Sequence, residues 1–187
     1  MRVSREQAAE NRRRIVDAAA RLFRDKGFDG AGVDAIMKSA GLTHGGFYGH
    51  FDSKEALAAE ASAAALRANA AYQAGAASLS ALVGEYLSER HRADRANGCV
   101  VAALGADVGR QGGAVRRTFT DSVRFQVDRI AAFLKRGTPA ARRRRALATY
   151  AGMVGALTLA RAVDDPAFAE EILAAAREAF GAKSRSS

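Results

Sequence analysis

Apolar residues recur at the spacing of one face of an α-helix through much of the chain. The clearest run is Ile15, Ala18, Ala19, Leu22 and Phe23, whose spacing puts all five side chains on one stripe. The composition favours the same conformation, because the chain is rich in Ala and Arg, which rank high in helix propensity, and contains only 2 prolines. No stretch requires a β-strand, so we predict an all-α fold.

Composition excludes several classes of protein. A chain of 187 residues is long enough for one domain, or for two small ones that share a core. Its 49% hydrophobic content is too high for a disordered chain, yet no apolar stretch is long enough to span a membrane. The one cysteine, Cys99, excludes an intrachain disulfide and fits a reducing compartment, so we expect a cytoplasmic protein without membrane contact.

Motifs that mark metal, phosphate or catalytic sites are missing from the sequence. It contains no CxxC, HExxH or glycine-rich phosphate loop, so we expect no metal and no cofactor. Its three histidines, His44, His50 and His91, form no defensible catalytic arrangement, so we expect no enzyme. The net charge of +9 indicates an anionic partner, or simply a solvated basic surface, and does not locate a site.

Helix boundaries follow from the periodicity and from capping residues. Gly27 and Gly41 mark helix ends, and Ser53 and Asp165 are suitable N-caps. We predict a loop over 90–98 and an unstructured polar tail from residue 182. The predicted helices cover about 5–26, 33–40, 44–50, 53–72, 79–90, 98–111, 115–134, 140–163 and 166–180.

The spacing over residues 33–51 is typical of a helix-turn-helix unit. A short helix ends at Ala40, the turn Gly41-Leu42-Thr43 follows, and Thr43 is placed to cap a second short helix. In such units the second helix enters the DNA major groove by its N-terminal part. Gly45 and Gly46 disfavour a helix that only packs in a core, but they suit close approach to DNA. The alternative interpretation is a loop, for which two adjacent glycines are a turn signal.

Residues that follow the turn suit contacts with phosphate. Tyr48, His50 and Lys54 are polar or cationic donors close to it in sequence. The alternative is that Tyr48 belongs to the core and His50 is an ordinary surface residue. Phe47 and Phe51 are four residues apart, and we expect them to hold the second short helix onto the first two helices.

A known family shares this pattern. Its elements here are Gly27-Phe28, the helix from Val33 to Gly41, the run LTHGGFYGHF over 42–51, and SKEAL over 53–57. Together they resemble the DNA-binding domain of the TetR/AcrR family of bacterial transcriptional regulators, over about residues 11–57. The resemblance implies a three-helix DNA-binding domain over 1–52, joined by a long helix to a larger helical domain over 53–187. It further implies that the larger domain binds a small molecule, which releases the DNA, and forms a homodimer.

The resemblance also assigns roles to residues of the motif. Those at the base-facing start of the recognition helix are Thr43, His44, Gly45 and Gly46. Those at phosphate-contact positions are Tyr48, His50 and Lys54. The implied partner is double-stranded DNA that carries an inverted-repeat operator. One position departs from the pattern, because Gly32 stands where the family usually has a Thr or Ser that caps the helix and contacts phosphate.

The second half of the chain is less informative. We expect the helices over 140–163 and 166–180 to form the dimer interface, with ordinary intrachain packing as the alternative. The residues predicted to face a ligand pocket are Leu104, Val108, Phe119, Val123 and Met153, and plain core packing is again the alternative. The chemistry of this small-molecule effector is not readable from the sequence.

Cys99 is a candidate redox sensor. If Asn97 or Gly98 caps the helix that follows, the thiol lies in the first turn, close in sequence to Arg92 and Arg95, and both effects lower a thiol pKa. The alternative is a small buried side chain that only packs. For the whole chain we predict a dimeric DNA-binding repressor, with a helical protein-interaction adaptor without DNA binding as the alternative.

Overall fold

A computed structural model of the chain describes residues 4–73 and 75–181. Within these residues the chain is helical, with one 3₁₀ helix and no β-strand, as the sequence predicts. No helix of this part of the chain is long and apolar enough to cross a membrane. The predicted unstructured tail from residue 182 lies outside the described residues. The α-helices are α1 (Arg5–Gly30), α2 (Val33–Ser39), α3 (Lys54–Gln73), α4 (Leu79–Tyr86), α5 (Glu89–Ala93), α6 (Val100–Val108), α7 (Gly113–Phe133), α8 (Pro139–Ala162) and α9 (Pro166–Gly181).

The regular part of helix α1 ends at the residue that the sequence predicts. The side chain of Ser4 accepts a hydrogen bond from the Gln7 amide and starts the helix. Gly27 adopts φ 75°, which breaks the helix, and one further turn follows before α2 begins. The predicted stop at residue 26 is therefore correct, although a short helical turn replaces the predicted non-helical turn.

The second short helix is a 3₁₀ helix, His44–Gly49, rather than an α-helix. Three of its six residues are glycines, which stabilise regular α-helix poorly, and short tight turns are what 3₁₀ geometry accommodates. Thr43 holds the N-cap position through its backbone, but its side chain makes no capping hydrogen bond. Ser53 does cap α3, since its Oγ accepts from the Ala56 amide at 3.1 Å.

The region between α3 and α7 departs most from prediction. The predicted helix over 79–90 is two helices, because the Ser88 side chain accepts from the His91 amide and starts α5. Residues 90–93 are therefore helical and not part of a loop. Helix α6 starts at Val100, and Cys99 itself is its N-cap, so the prediction that Asn97 or Gly98 caps this helix is wrong.

Two hydrophobic cores hold the helices together. The first joins α1, α2, the 3₁₀ helix and α3, and it extends into α6 and the start of α7 through Leu104, Val108 and Phe119. The second lies among α4, α7, α8 and α9, around Met153 and Leu173. Because the first core includes residues of α6 and α7, the N-terminal helices rest directly on the larger helical region.

Candidate functional site

The turn between α2 and the 3₁₀ helix is fixed by Gly41. This residue adopts φ 68°, a conformation that favours glycine, and a Cβ built there would lie 2.6 Å from the Arg14 guanidinium. The Leu42 amide then donates to the Met37 carbonyl at 2.9 Å, and the Leu42 side chain packs against the first core. These contacts set the 3₁₀ helix at a defined angle to α2, as a helix-turn-helix requires.

The start of the 3₁₀ helix is open to solvent. The predicted base-facing residues Thr43, His44, Gly45 and Gly46 are all exposed. A Cβ at Gly45 would meet nothing within 4 Å, so this face offers room for another molecule to approach the backbone closely. The prediction of a helical unit with an exposed N-terminal part agrees with this arrangement, and the loop alternative does not.

His44 is oriented by a carboxylate from α2. Its Nδ1 contacts the Asp34 carboxylate, which lies in the first turn of α2. Sequence spacing did not suggest this pair, because the two residues lie on different helices and meet only across the turn. With Nδ1 engaged, the Nε2 edge of the ring is the one left to face a partner.

The 3₁₀ helix is anchored from beneath by aromatic residues and by Arg12. Phe47 and Phe51 are 1% and 3% exposed, and their rings stack with centroids 5.8 Å apart, as predicted for core residues. Arg12 of α1 donates to the His50 carbonyl and to Glu60 of α3, and its guanidinium lies 4.0 Å from the centroid of the Phe51 ring. Periodicity in the sequence does not predict this role of Arg12.

The predicted phosphate donors differ in exposure. Tyr48 is 70% exposed, which excludes the core alternative, and its ring meets Phe47 edge-on. Lys54 is the first residue of α3 and is half-buried, as is His50. All three come from the segment that runs between the exposed start of the 3₁₀ helix and the start of α3.

Comparison with known proteins decides what kind of domain this is. The family model for bacterial regulatory proteins of the tetR family matches residues 15–61, which contain α2, the 3₁₀ helix and the start of α3. This N-terminal region therefore belongs to the tetR family of bacterial regulatory proteins. It is 46% identical over 52 residues to the A-factor receptor protein of Streptomyces griseus, which covers 28% of this chain and 19% of that protein. It is 39% identical over 59 residues to the transcriptional regulator AcrR of Shigella flexneri, covering 32% and 27%.

These alignments span less than a third of each of the two curated relatives. Solved structures share the fold over nearly the whole chain. A regulator from Chloroflexus aurantiacus matches with a TM-score of 0.79 and 25% identity over 94% of each chain. The reduced form of Escherichia coli NemR matches with a TM-score of 0.74 and 20% identity, over 91% of this chain and 94% of that one. The all-helical architecture of the chain is thus shared with these solved structures.

A cavity of about 810 Å³ opens between α1, α3, α4 and the segment over 90–99. Its described lining comes from Arg24, from residues 68–69 of α3, from 75–86 around α4 and from 90–99. Drug-sized ligands occupy cavities of roughly 300–1,000 Å³, so this one is large enough for a small organic molecule. A smaller cavity of about 390 Å³ lies beyond Arg24, between the end of α1 and the end of α8.

The five residues predicted to face a ligand do not line either cavity. Leu104, Val108 and Phe119 are buried in the first core, and Met153 and the half-buried Val123 pack in the second. The alternative of plain core packing describes these positions. The physical reason is that the apolar faces of α6, α7 and α8 are used to join helices, while the cavity opens beside α4 and α5.

Neutral His91 closes the inner end of the cavity beside Cys99. Its Nε2 accepts from the Cys99 amide at 2.9 Å, which requires the proton on Nδ1, and Nδ1 lies 2.6 Å from the Tyr86 carbonyl. Burial lowers the pKa of His91, so the ring is neutral near neutral pH. Burial also raises the pKa of Tyr86, and the neighbouring Cys99 thiol adds to this shift.

Cys99 lies in this wall and is 5% exposed. The two arginines predicted to assist it point elsewhere: Arg92 and Arg95 donate to the carbonyls of Ala160 and Arg161 at the end of α8. No group of three or more potential metal ligands occurs in residues 4–73 and 75–181.

Proposed function

We propose that this TetR-family protein is a dimeric, sequence-specific DNA-binding transcriptional regulator, a repressor released from its operator by a small molecule. The observation that carries the proposal is the solvent-open start of the 3₁₀ helix, held over a tight glycine turn beside one exposed donor, Tyr48, and two half-buried ones, His50 and Lys54. Such a regulator acts in the cytoplasm, where double-stranded DNA is its partner.

In this proposal the residues of the motif divide into two groups. Thr43, His44, Gly45 and Gly46 face base edges in the major groove, which supplies sequence preference. Tyr48, His50 and Lys54 contact phosphate oxygens, which position the protein without reading sequence. Gly32 caps α2 through its backbone alone, so the phosphate contact that a hydroxyl at this position would make is absent.

A second copy of the chain fits the outer face of α8 and α9. Leu147, Leu159 and Phe168 are large apolar residues exposed on these helices. A Cβ at Gly155 would meet nothing within 4 Å, so a partner helix has room to approach there. Pairing two copies through this face also presents two helix-turn-helix units, as an inverted-repeat operator requires.

The cavity is the proposed effector site, and Cys99 is a further candidate within it. A thiol that lines a ligand cavity is placed to react with a bound electrophile or oxidant. Alkylation rates of the wild-type thiol as a function of pH test this role, together with DNA release by Cys99→Ser after peroxide treatment. Release of the serine variant under the same treatment contradicts the sensor.

Gel-shift titrations on DNA that flanks the protein's own coding region test the proposed function. We expect binding of a dimer to an inverted repeat. The Lys54→Ala variant should bind all sequences more weakly and lower the slope of log affinity against log salt by about one. The matched variant His44→Gln should change base preference while leaving the salt slope nearly unaltered. No sequence-specific complex with any fragment of this region would contradict the proposal and favour the adaptor.

A further inference from the structure

The described wall of the 810 Å³ cavity contains four formally charged side chains. Glu85, Arg90 and Asp94 are exposed, so water screens their charges. Arg24 differs, because it is half-buried where α1 meets the segment over 94–98. A charge withdrawn from solvent interacts more strongly with a ligand than an exposed one does. Arg24 therefore dominates the electrostatics of the inner wall.

The guanidinium of Arg24 has hydrogen-bond donors that the described residues do not engage. Its Nε donates to the Ala96 carbonyl, and no carboxylate of the described residues lies within 4.0 Å of it. Burial lowers the pKa of Arg24, which means that its charge is desolvated without full compensation. An arginine remains protonated in proteins, so the charge persists, and both Nη groups remain to donate to a ligand.

Asp94 partly offsets the effect of burial, because its negative charge raises the pKa of Arg24, but the burial effect is larger and the two side chains form no ion pair within 4.0 Å. The Asp94 carboxylate accepts hydrogen bonds from the Asn97 amide at 3.1 Å and from Asn97 Nδ2 at 3.0 Å. Glu85 pairs with Arg90 at the exposed side of the cavity. His91 contributes no competing charge near neutral pH, because both of its ring nitrogens are engaged and burial lowers its pKa.

The remaining wall is largely apolar. Leu82 and the aromatic ring of Tyr86, each 3% exposed, form one side, and Ala76, Ala77 and Ala81 line the approach. A ligand that fills this space needs an apolar body, and the end that reaches Arg24 needs oxygen acceptors. Arginine matches a carboxylate especially well, since its planar fork makes two parallel hydrogen bonds to the two oxygens.

We propose that the cavity binds a small organic anion, an aromatic or aliphatic carboxylate whose head group pairs with Arg24 while its body lies against Leu82 and Tyr86. The inference deepens the effector part of the proposed function by naming the class of ligand. It also identifies a direct route to the DNA-binding region, because Arg24 belongs to α1. A carboxylate held by the two Nη groups places a negative charge beside the hydrogen bond from Arg24 Nε to the Ala96 carbonyl, which joins α1 to the segment over 94–98.

Matched acid and amide probes test the charge requirement on the full chain without DNA. Isothermal titration calorimetry compares 2-naphthoate with 2-naphthamide, and octanoate with octanamide. At least one acid should bind ten or more times more tightly than its amide. The Arg24→Gln variant should lower the affinity of that acid to the level of the amide and leave amide binding within about twofold. Arg21→Gln, an exposed arginine on the same helix that does not line the cavity, should behave as the wild type.

The proposal is overturned if neither acid exceeds its amide, including the case in which no probe binds, or if Arg24→Gln retains the discrimination. Tighter binding of 2-naphthylmethylammonium than of 2-naphthoate would also overturn it and assign the site to cations through Glu85 and Asp94. Should Arg24→Gln fail to fold, Ala81→Trp fills the apolar approach and is expected to weaken acid binding at least tenfold. Loss of DNA binding in a separate gel shift would reject the proposed function without affecting this result.

Discussion

The candidate DNA surface and the ligand cavity are assembled from the chain in opposite ways. The DNA surface takes its residues from one run, 43–54, in which the Gly46 and His50 amides donate to the carbonyls of Thr43 and Phe47 three residues earlier. The cavity takes its described lining from α1, α3, α4 and the segment over 90–99, which meet only after the helices pack. A surface built from consecutive residues leaves a signature in the sequence, whereas a cavity built from distant segments does not.

The two regions nevertheless share a hydrophobic core. The first core extends from the helix-turn-helix into α6 and α7, and Arg24 reaches from α1 into the cavity wall. Although the DNA surface comes from one run of residues, it is therefore connected to the cavity through the first core and Arg24. Substitutions can separate the stability that comes from the local turn from the stability that comes from the shared core.

The largest expected effect comes from paired leucine substitutions, one in each core. Leu104 of α6 is 2% exposed in the first core, and Leu173 of α9 is 0% exposed in the second. Each Leu→Ala change should lower the free energy of unfolding by about 2–5 kcal/mol. Hydrogen exchange should then differ: Leu104→Ala reduces protection of amides in α1 and α3, and Leu173→Ala reduces it in α8 and α9. Unaltered protection of α1 in Leu104→Ala would show that the two regions are energetically separate.

A second pair of substitutions compares two glycines of α8. A Cβ at Gly152 would lie 2.1 Å from the ring of Phe180, whereas one at Gly155 faces open space. Gly152→Ala should lower the free energy of unfolding by about 1–3 kcal/mol, because Phe180 must leave its position. Gly155→Ala should leave the stability of each subunit unchanged or higher but weaken the dimer. Static light scattering across a dilution series measures the average molecular mass and therefore the dimer fraction. A dimer unaffected by Gly155→Ala would remove this face from the proposed interface.

A third pair of substitutions compares two glycines of the helix-turn-helix, Gly41 and Gly46. Gly41→Ala should cost about 1–2 kcal/mol in chemical denaturation, because its positive φ disfavours any side chain and Arg14 must move. Gly46→Ala is the matched control, since its φ is not positive and its Cβ would lie 3.6 Å from the Met37 side chain. This variant should be as stable as the wild type or more so, yet bind the operator more weakly. Equal destabilisation by both alanines would contradict the assigned turn.

The smallest expected effect is a pH dependence that originates in the cavity wall. Burial lowers the pKa of His91 in the folded protein below the unfolded value of about 6.5. The unfolded state therefore takes up the proton first as the pH falls, so stability present above pH 6.5 is lost below it. Protonation of Nε2 also removes its hydrogen bond from the Cys99 amide.

Urea denaturation between pH 7.5 and 5.5 measures this contribution. The decline in the free energy of unfolding should be shallower in His91→Gln than in the wild type. His44→Gln, in which an exposed histidine is replaced, should retain the decline. An identical slope in the wild type and in His91→Gln would show that His91 does not control the stability of this wall.

Predictions from the sequence succeeded where a residue acts through its immediate neighbours. Gly27 and Gly41 end helices by adopting positive φ, Ser53 caps α3, and Phe47 and Phe51 are buried at helical spacing. The predicted α-helix over 44–50 is a 3₁₀ helix, because the helix propensity of three glycines is too low to maintain α geometry in so short a segment.

The sequence by itself determined most of the helices, their order and the glycine turn, because hydrogen bonds and apolar periodicity within a few residues decide these features. Tertiary structure alone decided that Arg12 anchors the 3₁₀ helix, that Asp34 orients His44, and that Arg24 enters the cavity wall. It also placed Leu104 and Phe119 in the first core rather than beside a ligand. An apolar side chain at helical spacing must be buried, but only the packing of distant helices determines whether it meets another helix or an open cavity.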